Sequence, residues 1–154
     1  MRRAVFLLSA CTLAAQPALG SQERILSPRK VSLVADAGAP FGEVCARIET
    51  ATEAGTIRFA SVELELGGQR HRVPAKGLSG LGFVMLQKVE LRTERGWDDA
   101  PWLYVYAEVA EMQGSQRWIT KKVHFAFHKG RFEYRSISTP DGKGAEKWDK
   151  LELQ

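Results

Sequence analysis

The stretch Val123–Ser136, VHFAFHKGRFEYRS, contains two runs of alternating side chains on either side of Lys129-Gly130. Two strand-like runs joined by a two-residue loop that contains glycine predict a β-hairpin. Because alternate residues of a strand point to opposite sides, the hairpin has one aromatic face and one polar, basic face. The expected cross-strand pairs are Phe127 with Phe132 and Phe125 with Tyr134 on the first face, and His128 with Arg131, Ala126 with Glu133 and His124 with Arg135 on the second.

A second hairpin is predicted around Gly67-Gly68, where glycine supplies the positive φ angles that a tight two-residue turn requires. Before the turn, Ala60, Val62, Leu64 and Leu66 alternate with polar residues, as in a half-buried strand. The turn sets the pairs Leu66–Gln69, Glu65–Arg70, Leu64–His71, Glu63–Arg72 and Val62–Val73. Two of these pairs join opposite charges on the solvent face, which supports the register.

Other segments also have strand-like content, namely Val31–Asp36, Gly82–Glu94 and Trp102–Glu111. Residues 41–54 fit two patterns. Phe41, Val44, Cys45 and Ile48 match a helical stripe, whereas Val44, Ala46 and Ile48 match a strand, which we favour because the rest of the chain is strand-like. The tail 145–154 is expected to pack as a last turn or an edge strand. The segment Gly77–Gly80 is expected to form a turn.

The pattern of short strands with frequent turn signals defines the fold class. We count about seven or eight strands and at most one or two short helices, near residues 41–54 and 144–152. No long helical segment separates the strands, so parallel βαβ units are excluded. The sequence therefore predicts one mostly β domain over residues 31–154, an antiparallel β-sandwich or an open barrel-like sheet.

The N-terminus has the layout of a secretory signal peptide over residues 1–20. Arg2 and Arg3 precede the uncharged run from Ala4 to Ala15, and Ala18-Leu19-Gly20 provides small residues before a cut. An alternative is a lipoprotein signal, in which Leu8-Ser9-Ala10-Cys11 leads to lipidation of Cys11. Both kinds of signal predict export to the periplasm or cell envelope of a bacterium. Residues 21–30 are expected to form a polar lead-in to the folded domain. No run in the sequence reaches the ~18 apolar residues of a membrane-spanning helix.

Composition narrows the possible chemistry further. Without Arg2 and Arg3 the chain has 20 basic and 18 acidic residues, a net charge of +2, which gives no reason to expect nucleic-acid binding. After removal of residues 1–20 only Cys45 remains, so an internal disulfide and a thiolate zinc cluster are excluded by number.

Along a strand, His124 and His128 are separated by about 13 Å, too far to share one ion, and His71 belongs to the other hairpin. We expect no metal and no cofactor.

No catalytic motif is present in the sequence. A nucleophile elbow and a phosphate-binding loop are both absent, and Asp141–Gly144 lacks the required spacing. The paired carboxylates Glu63/Glu65 and Asp98/Asp99, or the Cys45 thiol, are the groups from which a small hydrolase would have to be built. We therefore assign no catalytic residue.

The strongest functional signal is aromatic. On the strand that begins at Trp102, the side chains of Leu103 and Val105 point to one side, and those of Trp102, Tyr104 and Tyr106 point to the other. The three aromatic rings therefore lie either in the core or in an exposed stripe that recognises a partner. The candidate binding residues are Trp102, Tyr104, Tyr106 and Trp118. A basic rim for them is expected from Lys121, Lys122, Lys129, Arg131 and Arg135. The sequence favours an exported, non-catalytic binding protein, most concretely an inhibitor or immunity-type protein with an envelope protein as partner. A carbohydrate- or peptidoglycan-binding module that recognises cell-wall glycan is the alternative, and a small hydrolase is the second.

Overall fold

The computed structural model describes residues 30–154, so the predicted signal peptide (1–20), Cys11 and residues 21–29 lie outside the described residues. The described part of the chain contains ten strands and one short helix. The elements are β1 (Lys30–Asp36), β2 (Glu43–Glu53), β3 (Thr56–Leu66), β4 (Gln69–Arg72), α1 (Ala75–Leu78), β5 (Gly82–Phe83), β6 (Met85–Arg95), β7 (Pro101–Gln113), β8 (Arg117–His128), β9 (Arg131–Pro140) and β10 (Glu146–Glu152).

The strands form two antiparallel sheets of five strands each. The first sheet has the order β1-β2-β3-β4, with β5 paired to β3, and the second has the order β10-β9-β8-β7-β6. Apolar side chains from both sheets form one buried cluster; Phe59 of β3, for example, meets Phe125 of β8 edge to face at 5.7 Å. The predicted mostly β, antiparallel fold is confirmed, and its two sheets do not close into a barrel. The described residues contain ten strands, where about seven or eight were expected.

The chain passes from the first sheet to the second at Val84. Phe83 in β5 pairs with Ile57 of β3, whereas Met85 in β6 pairs with Ala110 of β7. The predicted single strand Gly82–Glu94 is therefore divided between the two sheets. A continuous apolar run such as Gly82–Leu86 does not reveal this crossing, because both halves of the run are buried on the same core.

The Gly67-Gly68 hairpin is confirmed with its predicted register. Both glycines have positive φ, at 56° and 75°, and the pairs run from Leu66–Gln69 to Glu63–Arg72. Val73 extends the ladder by donating its N–H to the carbonyl of Val62 at 2.9 Å. The predicted inward position of Ala60 is wrong, because β2 and β3 change register between Glu49 and Thr50. Ala60 is consequently exposed, and Phe59 takes the inward position.

The Lys129-Gly130 turn is confirmed, but three of the five predicted cross-strand pairs are wrong. Phe127 pairs with Phe132 and His128 with Arg131, as expected. The register then shifts, and Glu133 is an extra residue in β9, so the next pair is Ala126–Tyr134. Three predicted pairs are therefore replaced by Ala126–Tyr134, Phe125–Arg135 and His124–Ser136, and Tyr134 lies on the face opposite to Phe125.

The two segments considered for short helices are both strands. Residues 41–54 contain β2, with Val44, Ala46 and Ile48 buried, as the favoured alternation predicts. The tail contains β10, an edge strand paired with β9. The described helix is instead the four-residue α1, which lies where we predicted a turn. Within residues 30–154, no helix combines the length and the hydropathy that crossing a bilayer would need.

Candidate functional site

The outer face of the second sheet carries a cluster of aromatic rings. In β7, Leu103 and Val105 belong to the core cluster, so their neighbours Trp102, Tyr104 and Tyr106 point to the opposite, outer side. Residues from β8, β9 and β10 complete the cluster. We use the name aromatic face for the side chains of Trp102, Tyr104, Tyr106, His124, Tyr134 and Trp148.

The β-bulge at Glu133 places Tyr134 on this face. Tyr134 pairs with Ala126, which itself pairs with Tyr104 of β7. The two phenol oxygens of Tyr104 and Tyr134 lie 3.3 Å apart, within hydrogen-bond distance. Burial is the main reason why the pKa of Tyr104 is raised, with the Tyr134 contact second, so this phenol stays protonated and can donate a hydrogen bond.

His124 lies at the centre of the aromatic face. Its imidazole meets the rings of Tyr106 and Trp148 edge to face, each at 5.0 Å, and that of Tyr104 at 6.1 Å. Its Nε2 atom is buried and has no hydrogen-bond partner. Burial and, next, the nearby charge of Arg92 lower the pKa of His124, so the ring is neutral at pH 7.

The loop between β6 and β7 folds against one end of the aromatic face. Asp98 in this loop accepts a hydrogen bond from the indole N–H of Trp102 at 3.2 Å. The Trp102 ring stacks on the imidazole of His128, whose Nε2 lies 3.2 Å from the other carboxylate oxygen of Asp98. These contacts explain why Trp102, a residue of the outer face, is only 8% exposed.

Charged side chains surround the rings, and most of them are paired with each other. The Arg92 guanidinium lies 3.8 Å from the Tyr106 ring centroid while it also binds Glu90, and Lys150 lies 4.2 Å from the Tyr134 ring centroid. Lys122 pairs with Glu146. The rim of the face therefore presents both signs of charge.

The structure separates the six sequence-predicted binding residues into three groups. Trp102 and Tyr106 lie on the aromatic face but are 8% and 2% exposed, and Tyr104 beside them is half-buried. Trp118 is 46% exposed at the start of β8, opposite Met112. Arg131 pairs across the turn with His128, whose ring stacks on Trp102, whereas Arg135 lies opposite the core residue Phe125.

The predicted basic rim is not assembled as a set. Arg131 is exposed and pairs with Glu133, and Lys121 pairs with Glu111. Arg135 points inward, because the bulge at Glu133 inverts the alternation of β9 after that position. Its Nη1 donates to the backbone carbonyls of Gly77 and Ser79, at 3.0 and 2.9 Å, at the C-terminal end of α1. Arg135 thus acts as a structural link between the sheet and α1.

Sequence reasoning missed three members of the aromatic face. Tyr134 was expected on the inner face, and the bulge that moves it leaves no mark in the alternation of β9. His124 lies on the polar face, as expected, but the sequence did not show that rings from β7 and β10 surround it there. Trp148 is 45% exposed on an edge strand whose pairing the tail sequence did not define.

The groups considered for catalysis are held in separate contacts. Asp98 accepts a hydrogen bond from Trp102, and this bond, with a smaller contribution from the backbone N–H of Ala100, holds the pKa of Asp98 below its usual range. Asp99 pairs with Arg95, and Cys45 lies in β2 of the other sheet, opposite Val34 and Glu65. Glu63 and Glu65 bind Arg72 and Arg70, as their cross-strand register predicts.

His71 lies on the first sheet and packs edge to face on the Phe127 ring at 4.9 Å. Among residues 30–154, no three His, Cys, Asp or Glu side chains come close enough together to hold a metal ion. Comparison with known proteins gave no match: no protein-family model fits the chain, and neither a curated protein nor a solved structure resembles it significantly.

Proposed function

We propose that this chain is an exported, non-catalytic binding protein of the bacterial envelope, and that it recognises a protein partner through the aromatic face. The observation that carries the proposal is the cluster of rings on the outer side of the second sheet. In antiparallel sheets with one face on the core, the other face is ordinarily polar. Trp148 is 45% exposed there, and Tyr104 and Tyr134 are half-buried, so a partner can reach all three rings.

The contacts among the rings favour a preorganised surface. His124 is wedged among three rings, and the phenols of Tyr104 and Tyr134 meet at 3.3 Å, which limits the rotamers of these side chains. Side chains that are already ordered lose little conformational entropy when a partner binds. Aromatic residues of this kind are the usual energetic centres of protein interfaces.

The charges around the aromatic face favour a protein over a nucleic acid. Arg92 with Glu90 and Lys122 with Glu146 place both signs at the rim, which suits the mixed charge of a protein surface. Nucleic-acid binding would require an excess of unpaired Lys and Arg. An inhibitor or immunity-type protein, whose activity consists of covering another protein, is the most concrete member of this class.

Two further observations support export and a non-catalytic role. Residues 1–20 have the composition of a secretory signal peptide, with Cys11 as the alternative lipid anchor. A glycosidase needs one carboxylic acid whose pKa is raised, whereas the hydrogen bond from Trp102 lowers the pKa of Asp98.

The proposal is tested with the protein produced from its full-length sequence and an envelope extract. After capture and identification of a partner, the dissociation constant is measured for the parent and for the variant Trp148→Ala. Loss of an exposed ring at an interface centre is expected to weaken binding by about thirtyfold, or ~2 kcal/mol. Trp148 is preferred to Tyr106, because Tyr106 is 2% exposed and its truncation would lower stability.

The matched control is Trp97→Ala, which removes an indole that is 94% exposed in the loop between β6 and β7. This variant is expected to bind the partner with parental affinity. If Trp148→Ala also binds with parental affinity while it stays folded, the aromatic face is not the recognition surface.

A glycan ligand is the second candidate, and the exposed Trp148 ring favours it. An indole that keeps a free face beside a hydrogen-bonding lysine, here Lys150, can stack on a sugar ring. Binding of purified peptidoglycan fragments by the parent and not by Trp148→Ala would select this function. Binding only to a captured protein would select the first.

A further inference from the structure

A cleft of about 360 Å³ opens between the two sheets at the end of the molecule where β8 turns into β9. Its apolar lining includes Phe41 from the loop after β1, Leu66 at the end of β3 and Phe127 of β8. Its polar lining includes Gln69, His71 and Lys129. This volume falls at the lower end of the range of small-molecule sites, which is roughly 300–1,000 Å³.

Lys129 gives the cleft its charge. Most basic side chains of the described residues are paired with a carboxylate, but Lys129 has no ion pair or side-chain hydrogen bond among them. It occupies the turn with a positive φ of 50°, next to Gly130, so its backbone position is fixed by the hairpin. No Asp or Glu lines the cleft beside it.

The other polar groups of the cleft can donate hydrogen bonds. Gln69 carries two amide hydrogens, and His71 carries an N–H in its neutral form. His71 packs edge to face on Phe127 and makes no hydrogen bond to another described residue. Hydrogen-bond donors and one positive charge at the edge of an apolar cleft are complementary to a ligand with an apolar body and an anionic end.

We propose that this cleft binds a small carboxylate that carries an apolar chain, of the class of medium-chain fatty acids. The Lys129 ammonium binds the carboxylate, and the chain lies against the partly exposed side chains of Phe41 and Leu66. This site is separate from the aromatic face and does not rest on the function proposed for it.

The test is a titration of the isotope-labelled protein, produced from its full-length sequence, with sodium octanoate, followed by NMR. Saturable shifts are expected at the amides of Lys129 and Gly130. Octanamide, which has the same chain without the charge, is expected to bind the parent about tenfold more weakly than octanoate, equivalent to about 1.4 kcal/mol. Octylamine, with the opposite charge, is expected to bind more weakly still.

The variant Lys129→Asn removes the ammonium, and asparagine tolerates the positive φ of this turn. It is expected to bind octanoate about tenfold more weakly and octanamide unchanged. The matched control is Lys143→Asn, because the Lys143 side chain is also unpaired among the described residues and lies in the loop before β10. It is expected to bind octanoate like the parent.

Three results would overturn the proposal. The first is no saturable shift at millimolar octanoate, and the second is equal affinity for octanoate in Lys129→Asn and the parent. The third is a set of shifts confined to the aromatic face, which would place the ligand at the other surface. A failure of the partner-binding experiment with Trp148→Ala would leave this proposal standing.

Discussion

Trp102 and His128 stack with their ring centroids 4.2 Å apart and their planes 8° apart, and Asp98 contacts both rings from the loop between β6 and β7. A tryptophan on the outer side of a sheet would ordinarily be well exposed. Here the stack with His128 and the hydrogen bond to Asp98 bury it. The loop therefore forms one end of the aromatic face, with Asp98 in contact with both rings and the backbone of Gly96 against the Trp102 indole.

The first prediction concerns the pH dependence of this attachment. The pKa of Asp98 is lowered, chiefly by the Trp102 hydrogen bond, so the carboxylate stabilises the fold above its ordinary pKa of 3.8. This stabilisation is lost as the pH falls through the lower pKa of the folded protein. Asp98→Asn should therefore lower the denaturant midpoint at pH 7, and the difference from the parent should be smaller at pH 2.5, below the ordinary pKa of the carboxyl.

Asp99→Asn is the control for this measurement. Asp99 is the next residue in the loop, has a positive φ of 58° that asparagine tolerates, and pairs only with the exposed Arg95. Its midpoint at pH 7 should match that of the parent. An Asp98→Asn midpoint that stays below the parent's by the same amount at both pH values would contradict the proposed role of the charge.

The second prediction concerns His124. Its pKa is lowered by burial, so protons bind more readily to the unfolded chain than to the folded one. Stability should consequently decrease as the pH falls below 6.5, the ordinary value for histidine. Replacing His124 by Phe removes the titration and keeps a ring between Tyr106 and Trp148, so the loss of thermal stability between pH 7.5 and pH 5 should be smaller than in the parent.

A direct NMR titration of the His124 imidazole provides the check on this interpretation. The midpoint of its ring-proton shift should lie below 6.5. A midpoint at or above that value would show that Arg92 and burial do not keep the ring neutral, and the pH dependence would then require another group.

The sequence predicted the parts of the fold that local chemistry controls. Both two-residue turns were predicted because they contain glycine, at Gly67, Gly68 and Gly130, which adopts the required positive φ angles without strain. The register next to each turn followed from loop length. Strand alternation also identified β2, where Val44, Ala46 and Ile48 are buried.

The rest of the site depended on irregularities that alternation does not encode. The extra residue at Glu133 moves Tyr134 to the aromatic face and turns Arg135 inward, yet Phe132–Arg135 alternates as smoothly as a regular strand. The same is true of the register shift that exposes Ala60. The contact between His124 and Trp148 joins residues 24 positions apart, and it exists only because β10 pairs with β9.

The third prediction tests the turn between β8 and β9. Gly130 has a φ of 79°, and no heavy atom lies within 4 Å of the position where a Cβ would be added. Gly130→Val should therefore destabilise the protein through backbone strain alone, by about 1–3 kcal/mol in chemical denaturation. Gly130→Asn should cost much less, because asparagine tolerates this conformation. Equal midpoints for Gly130→Val and the parent would contradict the turn.

The fourth prediction concerns Arg135, which joins β9 to α1. Its guanidinium donates to the carbonyls of Gly77 and Ser79, so Arg135→Met keeps most of the aliphatic packing but leaves both acceptors without this partner. The loss should be about 1–3 kcal/mol in the free energy of unfolding. Arg117→Met is the matched control, because Arg117 is exposed and has no ion pair among the described residues, and its stability should be unchanged. If Arg135→Met is as stable as the control, the inward position of Arg135 is wrong. If it is less stable, a charge reversal at Arg135 is expected to affect folding before it affects any association rate.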